Sequence, residues 1–315
     1  MKTTTEPKVQ QTSNASLYEE VTNRIIAMIE KGVVPWRRTW STYGLARNYV
    51  SGRLYTGINY ILMNNTGYPI PYFMTFNQIK EIGGSIKKGS EASMVIYFKV
   101  YYKDSDDNTI APDEAKIRYQ KDEDIRVFRF IRYYNVFNLE CIDGIDLDLN
   151  RFPEVKLAYN EKITRCEEII MNMPNPPDLR QIDANRAFYS PTQDFVNIPN
   201  IMQFETSEHY YSTYFHELIH ATGHSSRLAR TEVMDFSGFG TTPYSKEELV
   251  AEMGASILSC YTQIDNGSVV ENNASYLAGW LKALKEDSRY IFKASAEAQK
   301  AVNFILGIGS LKLVD

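Results

Sequence analysis

Histidine is almost missing from this chain. Four occur in 315 residues, and all fall in one short stretch, at His209, His216, His220 and His224. Long apolar runs are missing too: none approaches the roughly 20 residues needed to cross a bilayer, so no membrane role is expected. The polar start, MKTTTEPKVQQTSNAS, lacks the apolar stretch of a secretory signal. Cysteine is scarce. Cys141, Cys166 and Cys260 are odd in number, far apart and outside any metal-knuckle spacing. That excludes a disulfide framework and makes a reducing cytoplasm the expected compartment. No internal repeat is visible. With 43% hydrophobic and 23% charged residues, the composition is ordinary globular material of a length that suits two domains.

A basic surplus is also lacking over the chain as a whole, whose net charge of −5 excludes a uniformly basic nucleic-acid binder. The deficit is uneven. Residues 16–100 hold ten Lys/Arg against five Glu, whereas residues 151–315 hold fifteen Lys/Arg against twenty-one Asp/Glu. A basic front and an acidic back suit two jobs better than one.

The patterning divides in the same place. Residues 1–15 are expected to be disordered. Ser16 with Glu19 reads as a capping box ahead of Val21, Ile25, Met28 and Ile29, and Gly32 stops that helix. Tyr55 to Tyr60 begins a short helical segment, and Thr75 with Gln78 opens another that ends at Gly83-Gly84. Runs 93–102 and 125–137, rich in Val, Ile, Tyr and Phe, predict strands. The acidic insert 104–124 between them predicts a long, mobile hairpin tip. An Asp-rich break with Pro153 near 143–155 separates a front domain, 1–150, from a back domain, 151–315. Behind it the sequence predicts a helix through about 172, and short strands at about 185–190 and 194–198. A histidine helix over about 206–222, a helix capped by Ser245 to about 263, and two more to about 306 follow. The expected fold class is α+β in two domains.

Chemistry concentrates in His216-Glu217-Leu218-Ile219-His220. Residues four apart on a helix share a face, so both imidazoles reach one ion. Glu217 projects beside them, where a carboxylate can take a proton from metal-activated water as general base. Tyr210, Tyr211, Tyr214, Phe215, Leu218 and Ile219 give the flanks of a buried amphipathic helix. The reading is one zinc ion per chain, on a domain of zincin type.

Two histidines and a water leave such a site short of one protein ligand. The position six residues after His220 holds Ser226, and His224 lies beyond the Gly223 stop. The segment 245–252 offers carboxylates instead. Glu248 is the first choice, with Glu252 and His224 as alternatives, and Glu252 is otherwise placed to accept the free N–H of a ligand histidine. Against Glu248, Ser245 and Glu248 also read as a capping box, which would tie this carboxylate to backbone donors. Tyr244 or His224 is the candidate for an oxyanion or substrate contact.

In the front half, Arg37 and Arg38 stand between Trp36 and Trp40, putting cations next to flat rings as a single strand requires. Lys87 and Lys88 precede the first strand run, and Arg126, Arg129 and Arg132 punctuate the second. The competing reading makes the tryptophans core and the arginines a solvated edge.

The assembled strings resemble the ArdC family of antirestriction proteins of plasmids and conjugative elements. In front they are Pro35-Trp36 with Trp40, Thr56-Gly57-Ile58-Asn59, Thr75-Phe76 ahead of Gly83-Gly84, Lys87-Lys88-Gly89 and Val136-Phe137-Asn138. Behind they are Tyr189-Ser190-Pro191 with Asp194, His216 to His220, Thr222-Gly223-His224 with Ser226-Arg227-Leu228, Glu247 to Glu252, and Trp280-Leu281 through Lys285-Glu286-Asp287. They run in order from about 16 to 306. The resemblance implies a front domain that binds single-stranded DNA and a zincin-like metallopeptidase domain behind it. It also implies a role in shielding incoming DNA from host restriction, with the restriction machinery as a candidate protein target. The acidic insert 104–124 falls outside the matching strings, a departure expected to weaken or redirect DNA binding on its side of the sheet. The rival reading is a non-catalytic strand-binding protector, or an accessory to conjugative priming, in which zinc only staples the fold.

Overall fold

The computed structural model describes residues 14–36, 45–119, 121, 124–148, 151–152, 159–183, 186–234, 242–264 and 274–308. Helix α1 (Asn14–Glu30) opens it and buries Leu17, Val21, Ile25 and Ile29, one turn apart. It begins before Ser16, so Ser16 and Glu19 lie inside the first turns and the expected capping box is displaced. Gly32, at φ 79, stops it in the left-handed region that glycine adopts at least cost. Helix α2 (Ile58–Asn64) follows, then α3 (Phe76–Glu81). The predicted box opens α3: the Thr75 side chain accepts from Gln78 N–H and the Gln78 side chain from Thr75 N–H.

The front sheet has the order β1-β2-β6-β4-β5, from β1 (Arg47–Asn48), β2 (Tyr72–Thr75), β4 (Ser93–Lys103), β5 (Thr109–Ile110) and β6 (Arg126–Asn138). Short strands β3 (Ser85–Ile86) and β7 (Ile142–Asp143) pair separately. Strands β4 and β6 run antiparallel along their whole shared length, whereas β2 reaches only 136–138 and β5 only Tyr102 and Lys103. A long ribbon therefore projects past its neighbours. Where β4 lacks a strand partner, Asn59 brackets Ile96, donating to its carbonyl at 2.7 Å and accepting from its N–H at 2.6 Å. One face of the ribbon, carrying Met94, Ile96 and Ile131, joins the main core.

The insert corrects one expectation. Instead of a bare hairpin tip, 104–124 contains β5 and a further helix, α4 (Pro112–Tyr119). Ile110 and Ala115 are buried and supply it with an apolar anchor that the charge-dense composition masks.

The back half runs α5 (Tyr159–Met171), β8 (Asp178–Arg180), β9 (Phe188–Ser190), β10 (Phe195–Asn197), α6 (Ser207–Ala221), α7 (Thr231–Met234), α8 (Thr242–Thr262), α9 (Ala274–Glu286) and α10 (Tyr290–Ile305). Its sheet has the order β8-β10-β9, which leaves β9 at an edge. Helix α6 crosses α8 where Gly254 meets Ile219. A Cβ at Gly254 would stand 2.5 Å from Ile219 Cδ1 and 2.7 Å from its Cγ1, so only glycine permits this approach. The protein is thus an α+β molecule of two domains, and one apolar core links them. Leu17, Val21 and Ile25 share it with Phe215, Leu218 and Leu258. Trp36 packs edge-on against Trp280 at 5.3 Å, and the Tyr60 hydroxyl meets Ser256 Oγ at 3.1 Å.

Candidate metal centre

Thr206 caps α6 by accepting from His209 N–H at 3.2 Å, and the helix then carries His216 and His220 to one face. Their Nε2 atoms lie 3.1 Å apart. Glu248 approaches from α8, with one carboxylate oxygen 3.5 Å from His216 Nε2 and the other 3.5 Å from His220 Nε2. Ligand atoms about 2.0–2.2 Å from a tetrahedral zinc are about 3.3–3.6 Å from one another. The two nitrogens are slightly closer than that and each faces a different Glu248 oxygen; with one oxygen taken as donor, the three ligand atoms all lie within 4.8 Å of one another, close enough to surround one ion. Among the described residues these are the side chains that converge closely enough to hold a metal. Because α8 starts at Thr242, Ser245 lies inside its first turn and Glu248 faces the imidazoles instead of a cap.

Charge around the site calls for a cation. Among the described residues, Glu217, Glu247, Glu248 and Glu252 are all buried here, against one buried guanidinium, Arg230. Burial works against protonation of His220, but the Glu247 and Glu248 carboxylates outweigh it and hold the ring well above its ordinary value. His216 is raised in the same way, chiefly by Glu248 acting against burial. Burial pushes Glu248 up, yet the hydrogen bonds and charges of the two rings hold it far below the carboxylate range.

The other ring nitrogens are held unequally. His220 Nδ1 lies 3.2 Å from Glu247 Oε1, a hydrogen bond that fixes the ring with Nε2 inwards. Arg230 grips the same carboxylate through Nε at 3.0 Å and Nη2 at 2.5 Å. Its remaining donors reach Thr222 Oγ1 and the Ile219 carbonyl, both at 2.7 Å, tying the end of α6 into the arrangement. Glu252 Oε1 stands 3.6 Å from His216 Nδ1, beside the ring and beyond hydrogen-bond length. Sequence reasoning named Glu252 for this orienting role and missed Glu247 and Arg230. The signal for Glu247 was its place directly before Glu248, since residues next to each other on a helix face about 100° apart.

Glu217 sits between the rings and the edge strand. Burial drives its carboxyl above the ordinary range, against the pull of His216 and His220, and the Tyr189 backbone N–H of β9 donates to it. That strand is locked from behind. The Tyr189 hydroxyl donates to Asp194 at 2.8 Å, and Arg227 donates to both Asp194 oxygens and to the Asn175 carbonyl. Tyr189 and Asp194 of one string meet Arg227 of another here and position β9 against α6.

The remaining sequence-derived residues fall elsewhere. His224 Nδ1 meets Ser226 Oγ at 2.8 Å and is not among the converging donors. Tyr244 is in the first turn of α8, with its side chain outside the described residues. Trp36 is 0% exposed, so its ring belongs to the core and offers no face to a base. Arg37, Arg38 and Trp40 lie outside the described residues. Lys87 donates to the Glu140 carbonyl at 2.8 Å, Lys88 is exposed, and Arg126 lies 3.0 Å from Asp107. Arg129 stands in β6 opposite Val100, with its side chain outside the described residues.

A metal-type site on the helix that carries its two histidines, completed by an acid from the next long helix, defines a zincin-like domain. Residues 167–297 match the family described as zincin-like metallopeptidase, and residues 15–137 match the N-terminal domain of anti-restriction factor ArdC. The metal-free crystal structure of the antirestriction ArdC protein from the R388 plasmid superposes with a TM-score of 0.70 at 31% identity. It covers 92% of this chain and 96% of that one. The Mn(II)-bound structure of the same protein gives 0.69 at 31% identity, over 94% and 99%. The chain belongs to the ArdC family of antirestriction proteins. It is 31% identical to the uncharacterized protein y4eC of Sinorhizobium fredii over 92% of this chain and 91% of that protein. It is also 32% identical to DNA primase TraC of Escherichia coli over 92% of this chain, and it spans only 27% of that primase. No helix among the described residues is long and apolar enough to cross a membrane.

Proposed function

We propose that this protein is an antirestriction factor of a mobile genetic element. In this reading the front, 1–150, binds single-stranded DNA and the back, 151–315, carries a zinc-dependent peptidase-like site. The observation that carries it is the convergence of His216, His220 and Glu248 beside the buried carboxylate of Glu217. One zinc ion held by these three side chains would supply Lewis acidity and lower the pKa of a water it binds. Glu217 acts as general base, taking the proton from the water that attacks a peptide carbonyl and passing it to the departing amine. Glu247 and Arg230 hold His220 in place, while Tyr189 N–H orients Glu217. The edge of β9 suits pairing with an extended peptide. The candidate protein target is host restriction machinery.

Two measurements test this. Metal analysis of the purified protein should return one zinc per chain, lost in His220→Ala. Glu217→Gln should keep the metal and abolish protection of incoming DNA from restriction. Intact protection in Glu217→Gln would leave a strand-binding protector with a structural metal. The similarity to part of a primase named TraC favours a conjugative setting for that second reading.

A further inference from the structure

We infer that the open face of the β4–β6 ribbon is the surface that holds single-stranded DNA, and that Asp107 of the 104–124 insert masks its outer end. The inference rests on the strand-binding reading above and gives it a location. Directly opposed residues of an antiparallel pair share a face. The register sets Tyr97 beside Arg132, Lys99 beside Phe130, and Tyr101 beside Phe128. The last rung sets Lys103 beside Arg126, and Tyr134 lies one rung nearer the root. Rings and cations thus interleave along both strands, and neither strand contains an acid.

Beyond Val95 and Val136, which are buried near Phe73, this face is open, with Tyr97, Lys99, Tyr101 and Lys103 half-buried; the reverse joins the core through Met94, Ile96 and Ile131 and bares Phe98 and Val127 further out. Tyr134 is 49% exposed, Phe130 41% and Phe128 37%, a concentration of bare aromatic surface that a folded protein does not maintain without use. The rings are pre-positioned. Tyr97 meets Tyr134 edge-on at 6.0 Å and Tyr101 meets Phe130 at 5.7 Å. Lys99 Nζ sits 4.6 Å over the Tyr101 ring and Lys103 Nζ 5.7 Å over that of Phe128. Flat faces accept unstacked bases of any sequence, and the cations between them take phosphates. From residue 97 to 103 the face extends about 20 Å at about 3.4 Å per residue, room for a few nucleotides. Its positive charge suits a polyanion and repels a second copy of itself.

The insert acts at the outer end. One Asp107 oxygen lies 3.0 Å from Lys103 Nζ and the other 3.0 Å from Arg126 Nη2, so a single carboxylate neutralises both cations of the last rung. Asp107 has φ 69, a conformation asparagine also tolerates, so Asp107→Asn removes the charge and keeps the backbone.

The test is fluorescence anisotropy of the full chain with a labelled oligothymidine, over a range of salt, with a duplex of equal length alongside. Phe130→Ala with Tyr134→Ala should weaken binding at least about tenfold, given the cost of losing stacked bases. Phe130→Trp should bind like the parent. Lys99→Gln with Arg132→Gln should flatten the salt slope by about 1.4, two phosphates' worth, and Asp107→Asn should tighten binding and steepen the slope by up to about 1.4. Circular-dichroism melts of each variant establish that it is folded. The gain from Asp107→Asn cannot arise from misfolding. If the parent binds and folded variants bind like it, the platform lies elsewhere while the strand-binding reading stands. If the parent binds no single strand, that reading itself fails. Equal affinity for the duplex would overturn the stacking role. So would a dimer in sedimentation that Phe130→Ala with Tyr134→Ala dissolves without affecting DNA.

Discussion

His220 has two ring nitrogens and the structure uses both, Nε2 towards Glu248 and Nδ1 towards Glu247. The second contact decides how well the first is aimed. Glu247→Gln removes the anionic acceptor while keeping its size, so zinc affinity should fall about 10–100-fold in competition with a chromophoric chelator. Unchanged affinity would make Glu247 merely structural. Arg230→Met tests the layer behind it. It strands a buried carboxylate, whose removal from its partner should cost about 3–5 kcal/mol in urea unfolding. At this scale the convergence of His216, His220 and Glu248 was largely legible: histidines four apart on an apolar helix have one face to share, and a glutamate on the next long helix can meet them. Glu247 and Arg230 were not legible, because pairing across 17 positions in sequence depends on how α6, α7 and α8 dock. Trp36 was misread for a related reason. A tryptophan among arginines looks like a stacking platform until its partner, Trp280, is known.

Elements position these side chains through two contacts. At the α6–α8 crossing, Gly254→Ala would drive a methyl into Ile219 and separate the helices that bear the histidines and Glu248. A loss of about 1–3 kcal/mol, the usual cost of overpacking, together with weaker zinc binding is the expected outcome. Stability lost with metal binding unchanged would show that the site tolerates a shifted α8. The second contact is the Asp194–Arg227 pair that fixes β9. Burial raises the Asp194 carboxyl, but hydrogen bonds from Arg227 and Tyr189 prevail and its pKa is lowered. A carboxylate depressed in the folded state adds stability above its unfolded value of about 3.9, and that stability is lost as pH falls through the folded value. Asp194→Asn should therefore melt well below the parent at pH 7, with the gap narrowing once the pH falls below about 3.9. A gap that stays constant with pH would mean that the pair contributes no charge-dependent stability. Both strands of the long ribbon were evident from their Val, Ile, Tyr and Phe content. The helix in the insert was not, since among the described side chains of α4 only Ala115 is buried, within a charged sequence, and the helix packs on β4.

Across the whole molecule, the metal site depends on the front of the chain. Helix α1 belongs to the N-terminal match yet packs against α9 and buries Leu17, Val21, Ile25 and Ile29 in the core that also holds Phe215 and Leu218 of the histidine helix. Burying each such side chain contributes about 1.5–3 kcal/mol, so α1 accounts for roughly 6–12 kcal/mol. Conformational entropy offsets much of this gross term, but against a typical net stability of about 5–15 kcal/mol even a fraction of it is large. Composition marked a boundary near 150, and a shift in charge says nothing about whether a core continues across it. Two consequences follow. Calorimetry of the full chain should show one cooperative transition, moved upwards by zinc, because a ligand at 100 times its Kd adds about 2.7 kcal/mol to the state that binds it. Residues 151–315 expressed alone should lack that transition and bind zinc far more weakly than the full chain, since α6 and α8 would lose the apolar surface that holds them together. A fragment that melts cooperatively and matches the full chain's zinc affinity would show that the back half builds its site without the front.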